Sequence, residues 1–115
     1  MVVDQLTDVT ADRVFLALGA ATRRDILARA IRQEQSVSTL ARHYEMSFAA
    51  VQKHVAVLER AALVTKERRG REQIVRGNVP MLRKAAALLD AYEQLWIART
   101  TRIADILAGE EGSTT

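Results

Sequence analysis

Two predicted helix starts lie close together in the first half of the chain, and this spacing restricts the fold more than any other feature. Ser38 and Ser47 each precede a run of helix-forming residues. Serine is a favoured N-cap residue because its hydroxyl accepts a hydrogen bond from the backbone in the first turn. Only Glu45 and Met46 separate the third predicted helix from the fourth. Two capped helices with so short a connection indicate a helix-turn-helix.

The fourth helix has one apolar side and one open side. Its apolar residues recur at helical spacing and predict the buried face: Val51, Val55, Leu58 and Ala62. The residues left on the outside are Ala49, Gln52, Lys53, Ala56 and Arg60. This outer face is the one available to a partner.

A β-hairpin follows the fourth helix. Residues 63–65 and 73–75 are β-prone, and they flank a charged stretch, 66–72, in which Gly70 permits a tight turn. Between Lys66 and Arg76 there are five basic and two acidic residues, so this segment carries as much net positive charge as the whole chain, +3. A charged tip on two short strands predicts a wing.

Three more helices are predicted around these elements. Thr10 caps the first, which Gly19 ends, and the second runs from about residue 21 to 31. The last begins at Pro80 and continues to about Ala108. It carries a weaker apolar stripe at Leu88, Ala91, Leu95 and Ala98 and a main one at Leu82, Ala85, Ala86, Leu89, Tyr92, Trp96, Ile103, Ile106 and Leu107. One stripe can pack on the core, and the other needs a partner, most simply a second copy of the chain.

Length and composition agree with a mainly α fold in a single domain. The 115 residues are 49% hydrophobic, with one proline and 4% aromatic residues, which favours long helices over a β-sandwich. We expect one domain over residues 1–115. It divides into a core at 10–78, a C-terminal dimerisation helix at 80–108 and a disordered tail at 109–115.

Several function classes are disfavoured by the residues present. There is no long apolar run and no basic start followed by an apolar stretch, so we expect a cytoplasmic protein without a membrane partner. The chain has no cysteine, two histidines and no glycine-rich phosphate loop. No nucleophile, base and orienting group can therefore be assembled, and we expect no catalytic residues and no cofactor.

The order of elements and several local strings resemble the ArsR-type winged helix-turn-helix repressors, over roughly residues 11–108. The strings that carry the resemblance are Leu18-Gly19 with residues 22–27 (TRRDIL), 36–41 (SVSTLA), Met46-Ser47 with 51–54 (VQKH), and 58–64 (LERAALV). The metal-independent branch of the family is the most similar. The resemblance implies a homodimeric repressor or autorepressor that binds double-stranded DNA at a palindromic operator.

The resemblance also implies site residues. The predicted DNA contacts are Ser47, Ala49, Ala50, Gln52, Lys53 and His54 on the fourth helix, and Arg68, Arg69 and Arg71 on the wing. Glutamine can pair with adenine and lysine with guanine, whereas wing arginines add affinity for phosphate. The predicted dimer interface is Leu88, Tyr92, Leu95, Trp96 and Ile103.

Two departures from the family pattern bear on function. Ala20-Ala21 stands where relatives often have Asp-Pro, which removes a helix cap. Metal-sensing relatives place paired cysteines on the third helix or Asp and His ligands on the last. Here the third helix offers only His43, and the last has Asp90 and Glu93 without histidine. We therefore expect no metal site.

The sequence leaves four alternatives open. His54 either touches phosphate or lies partly buried. Arg23 and Arg24 either join the second helix to nearby backbone or form salt bridges with Asp25 or Asp12. Tyr92 and Trp96 are interface anchors or line the pocket of an unknown small-molecule effector. At the level of function, the rival to a DNA-binding repressor is a winged-helix protein-interaction module without DNA binding.

Overall fold

The computed structural model describes the backbone of residues 6–113 and the side chains of residues 6–109. The elements in chain order are α1 (Asp8–Leu18), α2 (Ala21–Arg32), β1 (Gln35–Ser36), α3 (Val37–Ala41), α4 (Phe48–Arg60), β2 (Val64–Arg69), β3 (Glu72–Gly77) and α5 (Val79–Ser113). The predicted mainly α, winged helix-turn-helix architecture with a long last helix is confirmed.

The chain divides into two compact units, Met1–Ala85 and Ala86–Thr115, and the division falls inside α5. The first unit contains the hydrophobic core, which every helix of that unit and the hairpin help to form. Its largest fully buried side chains are Ile26, Leu40, Leu58, Leu63, Val14, Val51, Val55, Val64 and Val75. The second unit is the remainder of α5 and is described separately below.

Helix α4 buries the side that the sequence predicts, with one change at its end. Val51, Val55 and Leu58 are buried, but the fourth core position is Ala61, which is 1% exposed, in place of Ala62. The chain leaves the helix at Ala62, whose φ of 58° lies in the left-handed region. The amide of Leu63 donates to the Leu58 carbonyl at 3.0 Å, which closes the helix end. This turn leads directly into β2.

The link from α4 to the hairpin is also held from the far side. Nδ2 of Asn78 donates to the Ala62 carbonyl at 2.7 Å, and the Asn78 amide donates to the Leu63 carbonyl at 2.8 Å. Asn78 follows β3 directly, so both ends of the hairpin are fixed to the end of α4.

Two predicted helix caps are displaced and one is confirmed. Thr7 caps α1 in place of Thr10, because the Thr7 hydroxyl accepts from the Thr10 amide at 3.2 Å. Ser36 caps α3 in place of Ser38, since Ser36 already lies at the end of a strand and its hydroxyl accepts from the Thr39 amide at 3.0 Å. Ser47 caps α4 as predicted, accepting from the Ala50 amide at 3.1 Å.

The sheet has three antiparallel strands in the order β1-β3-β2, one more than the hairpin predicted from sequence. The extra strand, β1, has two residues and pairs with Val75 and Ile74 of β3, so it was too short to show strand alternation. The hairpin strands are longer than predicted, and only Gly70 and Arg71 remain as the turn. Gly70 has a φ of 66°, which glycine adopts without strain. Arg68 and Arg69 therefore belong to β2.

Helix α5 begins at Val79, with Pro80 in the first turn as predicted. It continues to Ser113 and is not ended by Gly109. One glycine costs a helix only about 1 kcal/mol relative to alanine, which neighbouring residues can offset. The rest of the expected disordered tail, residues 114–115, lies outside the described residues. Within the described part, no helix is long and apolar enough to cross a membrane.

Most of the apolar side chains on α5 are exposed. Leu82 and Ala85 pack on the core of the first unit, as one predicted stripe requires. From Leu89 onward, however, side chains of both stripes are exposed, including Tyr92, Leu95, Trp96, Ile103, Ile106 and Leu107. A helix of 35 residues is about 50 Å long, more than the core of one small unit can cover. Apart from the half-buried Leu88, no described apolar side chain of either stripe beyond Ala85 is covered within this chain.

Candidate nucleic-acid interface

The first half of α4 presents a surface of small and polar side chains. Val51 and Val55 anchor the helix to the core, and this packing turns the opposite side outward. Ala49, Gln52 and Lys53 are exposed, and we call this set the recognition face. Ser47 is exposed at the start of the helix, whereas Ala50 is half-buried. The helix N-terminus with its free amides adds a partial positive charge beside this face.

An exposed aromatic ring stands at the first position of α4. The Phe48 side chain is 47% exposed, between the Ser47 cap and the recognition face. Phe48 is not among the predicted contacts, because the apolar spacing within the helix begins at Val51. Its position directly after the predicted cap could have indicated an exposed ring, because a side chain there lies away from the buried face of the helix.

His54 lies half-buried at the edge of the recognition face, where it contacts Arg23. The Arg23 guanidinium places Nη1 3.3 Å from Nδ1 of His54. The same guanidinium donates to the backbone carbonyls of Ala17 and Leu16, each at 2.8 Å. Arg23 thus connects the end of α1, helix α2 and helix α4. Of the two alternatives for His54, the partly buried one describes its position in the structure.

Arg24 also joins α2 to backbone and not to an acid. Its Nη1 donates to the Leu18 carbonyl at 2.7 Å. Asp25 pairs instead with Arg29 at 2.8 Å and accepts from the Tyr44 hydroxyl at 2.6 Å. The Tyr44 hydrogen bond, followed by that of Arg29, lowers the pKa of Asp25. These bonds fix the turn after α3 to α2 and so support the helix-turn-helix from behind.

The wing, residues 64–77, carries its positive charge in two different states. At the tip, Arg71 is exposed and has no hydrogen bond or ion pair within the described residues, and Arg68 donates only through Nε, to the Gly70 carbonyl at 3.3 Å. By contrast, Arg69 at the end of β2 lies 3.0 Å from both Glu34 and Glu67, and Arg76 on β3 lies 2.7 Å from Glu34. The three predicted wing contacts are therefore not equivalent.

The Glu34 carboxylate is the centre of a network of ion pairs that also includes Glu67, Arg69 and Arg76. Hydrogen bonds from Arg76 and then Arg69 lower the pKa of Glu34. Those from Glu34 and Glu67 raise the pKa of Arg69. All four side chains are substantially exposed, so the network carries charge at the protein surface. No pattern in the sequence indicated it, because Glu34 is 35 residues from Arg69 and 42 from Arg76.

Helix α4 and the wing are also linked by an ion pair near the C-terminal end of the helix. Nζ of Lys66 on β2 lies 3.4 Å from a carboxylate oxygen of Glu59 on α4. Together with the closed end of α4, this pair sets the position of the hairpin relative to the helix. The arrangement places one surface of small and hydrogen-bonding side chains and one strongly basic tip on the same unit.

Other candidate residues are distributed as follows. His43 is exposed, and within residues 6–109 no three His, Asp or Glu side chains come together as a metal site would require. In the second unit, Tyr92, Leu95, Trp96 and Ile103 are exposed and Leu88 is half-buried. The Arg99 guanidinium lies 5.9 Å from the Trp96 ring centroid, a cation–π distance.

Comparisons with known proteins give matches among solved structures. No family model matches the chain, and no curated protein matches it. An ArsR-like transcriptional regulator from Rhodococcus sp. RHA1 is 34% identical, with 85% of this chain and 92% of that chain covered and a TM-score of 0.75. A possible transcriptional regulator for arsenical resistance is 32% identical, with 68% and 81% covered and a TM-score of 0.64.

A third structure supports the fold alone. It is the homodimeric winged helix-turn-helix DNA-binding domain of a possible ArsR-family regulator from Mycobacterium bovis, 22% identical, with a TM-score of 0.62. The match covers 77% of this chain and 89% of the M. bovis chain.

Proposed function

This chain belongs to the ArsR family of transcriptional regulators, and we propose that it is a sequence-specific repressor that binds a palindromic DNA operator as a homodimer. The observation that carries the proposal is the pairing of an open recognition face on α4 with a basic wing tip on the same rigid unit. A helix of this diameter fits the major groove, and a basic hairpin beside it reaches the flanking backbone.

The two surfaces support different parts of binding. Gln52 and Lys53 carry the donors and acceptors that read base edges, and the Ala49 methyl group permits close approach to thymine. Ser47 is exposed at the start of the helix, where a phosphate would approach, while the half-buried His54 orients the helix through its contact with Arg23. Arg68, Arg69 and Arg71 supply positive charge that binds phosphate in any sequence.

A homodimer is supported by the exposed apolar side chains of α5. Leu95 is 68% exposed and Trp96 is 61% exposed, on a helix that also exposes Tyr92 and Ile103. A contiguous apolar surface of this kind is costly in water, and a second copy would cover it with the same residues. The relative from M. bovis is itself homodimeric. Two copies would then contact two half-sites, which gives the operator its two-fold symmetry.

Repression follows from where such a dimer binds. A dimer bound at such an operator acts most simply by occupying DNA that the polymerase needs. We propose autorepression, or repression of a neighbouring gene, with the operator beside the chain's own gene.

The test is a DNA titration at two salt concentrations. A duplex carrying the DNA upstream of the gene and a random duplex of equal length are titrated, and the protected bases are mapped. We expect tighter binding to the upstream duplex, protection of two symmetric half-sites, and a steep loss of affinity with salt from counterion release. Failure to bind either duplex at low salt would contradict the proposal and favour a protein-interaction module.

A further inference from the structure

The carboxylate of Glu34 bridges two arginines of the sheet. One oxygen, Oε1, lies 3.0 Å from Nη1 of Arg69, and the other, Oε2, lies 2.8 Å from Nε and 2.7 Å from Nη2 of Arg76. Arg69 is on β2 and Arg76 on β3, while Glu34 precedes β1. Three segments therefore meet at one anion.

This arrangement is that of a phosphate site with a carboxylate inside it. A phosphodiester group presents two anionic oxygens, as a carboxylate does, and arginine binds both groups through its planar set of donors. The two guanidiniums face one anion from different strands, and their side chains are 50% and 57% exposed, so a larger anion could reach them.

We propose that Arg69 and Arg76 form a binding site for a DNA backbone phosphate and that the Glu34 carboxylate occupies this site in the free protein. The proposal rests on the proposed function, since the phosphate is that of the bound operator. On binding, the phosphate replaces Glu34 between the guanidiniums, and Glu34 moves into solvent. Arg76 becomes a DNA contact that the sequence did not indicate.

The exchange is physically reasonable because both states are exposed. Surface ion pairs contribute little to stability, so opening the Glu34 pairs costs little. A phosphate on a polyanion also brings the release of condensed counterions, which a carboxylate within the protein does not. Glu67 stays 3.0 Å from Arg69 and 3.7 Å from Arg76, so the site keeps one acidic neighbour.

The consequence is that Glu34 lowers the affinity of the wing for all DNA. Two carboxylates neutralise the two guanidiniums in the free protein, so only Arg68 and Arg71 present unopposed charge at the wing. Random DNA must break the same ion pairs of Glu34 as the operator does, but it receives little binding energy from the recognition face in return. Glu34 thereby limits non-specific binding.

A purely structural role makes the opposite prediction. If Glu34 only braces the sheet by joining β2, β3 and the segment before β1, its removal loosens the wing. Affinity for DNA would then fall, together with the melting temperature.

The experiment compares Glu34→Gln with Glu72→Gln. Both changes remove one negative charge from the same sheet. Glu72, however, lies at the turn end of β3 and has no ion pair within the described residues. We expect Glu34→Gln to bind operator and random duplex about three- to tenfold more tightly at low salt, with a steeper salt dependence by about one phosphate contact per subunit. Glu72→Gln should change both affinities by less.

Adding Arg76→Gln to Glu34→Gln should abolish the gain in affinity. An equal gain from Glu72→Gln would overturn the proposal, because it would show that only the overall charge matters. A loss of affinity in Glu34→Gln with a lowered melting temperature would also overturn it, in favour of the brace.

A second measurement separates this proposal from the proposed function. Inorganic phosphate is titrated into wild type and Glu34→Gln while the arginine Nε–H signals are followed by NMR. Tighter binding in Glu34→Gln, with shifts at Arg69 and Arg76, supports the site even if the wild type binds neither duplex. The absence of any such shift in both proteins would contradict it even if the protein binds its operator.

Discussion

Arg23 on α2 and His54 on α4 meet through their side chains, with Nη1 of Arg23 3.3 Å from Nδ1 of His54. A guanidinium can only donate, so the two side chains share a hydrogen bond when Nδ1 of His54 accepts and the ring N–H lies on Nε2. The ring is thereby oriented by a residue that also holds the end of α1. The recognition helix is fixed to the body of the unit at a residue beside its outer face.

This tautomer predicts different outcomes for two amide replacements of His54. Asparagine places its oxygen near the position of Nδ1 and should keep the contact with Arg23, whereas glutamine places its amide near Nε2. We expect the free energy of unfolding of His54→Asn to be close to that of wild type and that of His54→Gln to be lower by about 1 kcal/mol. Denaturant unfolding measures both values. Equal losses in both variants would contradict the assigned tautomer.

Gln52 is predicted to read base identity. Replacing Gln52 by alanine should weaken binding to the operator by about 1–3 kcal/mol and relax the preference at one or two base pairs in each half-site. Binding to random duplex should change little, because the phosphate contacts remain. Competition titrations against operators with single base changes measure this. A uniform loss across all sequences would assign Gln52 to the backbone instead.

Arg71 is predicted to bind phosphate without regard to sequence. Its guanidinium has no partner within the described residues, so Arg71→Ala should weaken operator and random duplex alike and flatten the salt dependence by about one contact per subunit. Arg69→Ala should act in the same direction but flatten it less, because Arg69 gives up its pair with Glu34 on binding and keeps Glu67 as an acidic neighbour. An unchanged salt slope in Arg71→Ala would remove the wing tip from the interface.

The exposed apolar surface of α5 is predicted to hold two copies together. Changing Leu95 and Trp96 to glutamate should give monomers in sedimentation, and these should lose most of their operator affinity because each half-site alone is weak. Gln94→Glu is the matched control, since it adds charge on the same turn of the helix at an exposed polar position. A stable dimer in the double variant would place the interface elsewhere.

Tyr44 is predicted to limit stability in alkaline solution. Burial, together with its hydrogen bond to Asp25, raises the pKa of Tyr44 from 10.0 to about 12. Because the folded pKa is the higher one, this contribution to stability is complete below pH 10 and is lost as the pH rises toward 12. In Tyr44→Phe, unfolding should depend less on pH in that window than in wild type. Identical pH dependence would show that another group governs it.

Local patterns in the sequence were sufficient for the fold because most elements have local causes. Ser47 and the apolar spacing from Val51 to Leu58 lie within one helix, and Gly70 marks its turn by its own backbone preference. The cap of α3 lies at Ser36, two residues before the predicted Ser38, because Ser36 ends a strand that pairs with β3 and a two-residue strand leaves no periodic signal in the sequence.

Contacts between distant segments could not be predicted. Arg23 and His54 are 31 residues apart, and Glu34 meets its arginines only because β1 adds to the sheet beside β3. Each of these residues looked like an ordinary surface charge or an ambiguous histidine in the sequence. The roles of the predicted DNA contacts stay predictions, but the structure divides them into open side chains and side chains already engaged.

The turn at Ala62 sets the spacing between the bases that α4 would contact and the phosphates that the wing would contact. Only residues 61–63 connect α4 to β2, and Asn78 ties the return strand to the same turn, so we expect the distance from Gln52 to the wing tip to be fixed. Substitutions on α4 would then change which bases are preferred without changing how far those bases lie from the phosphates that the wing is proposed to bind. Operators selected by such variants should differ in base sequence but keep the same distance between the contacted bases and the contacted phosphates.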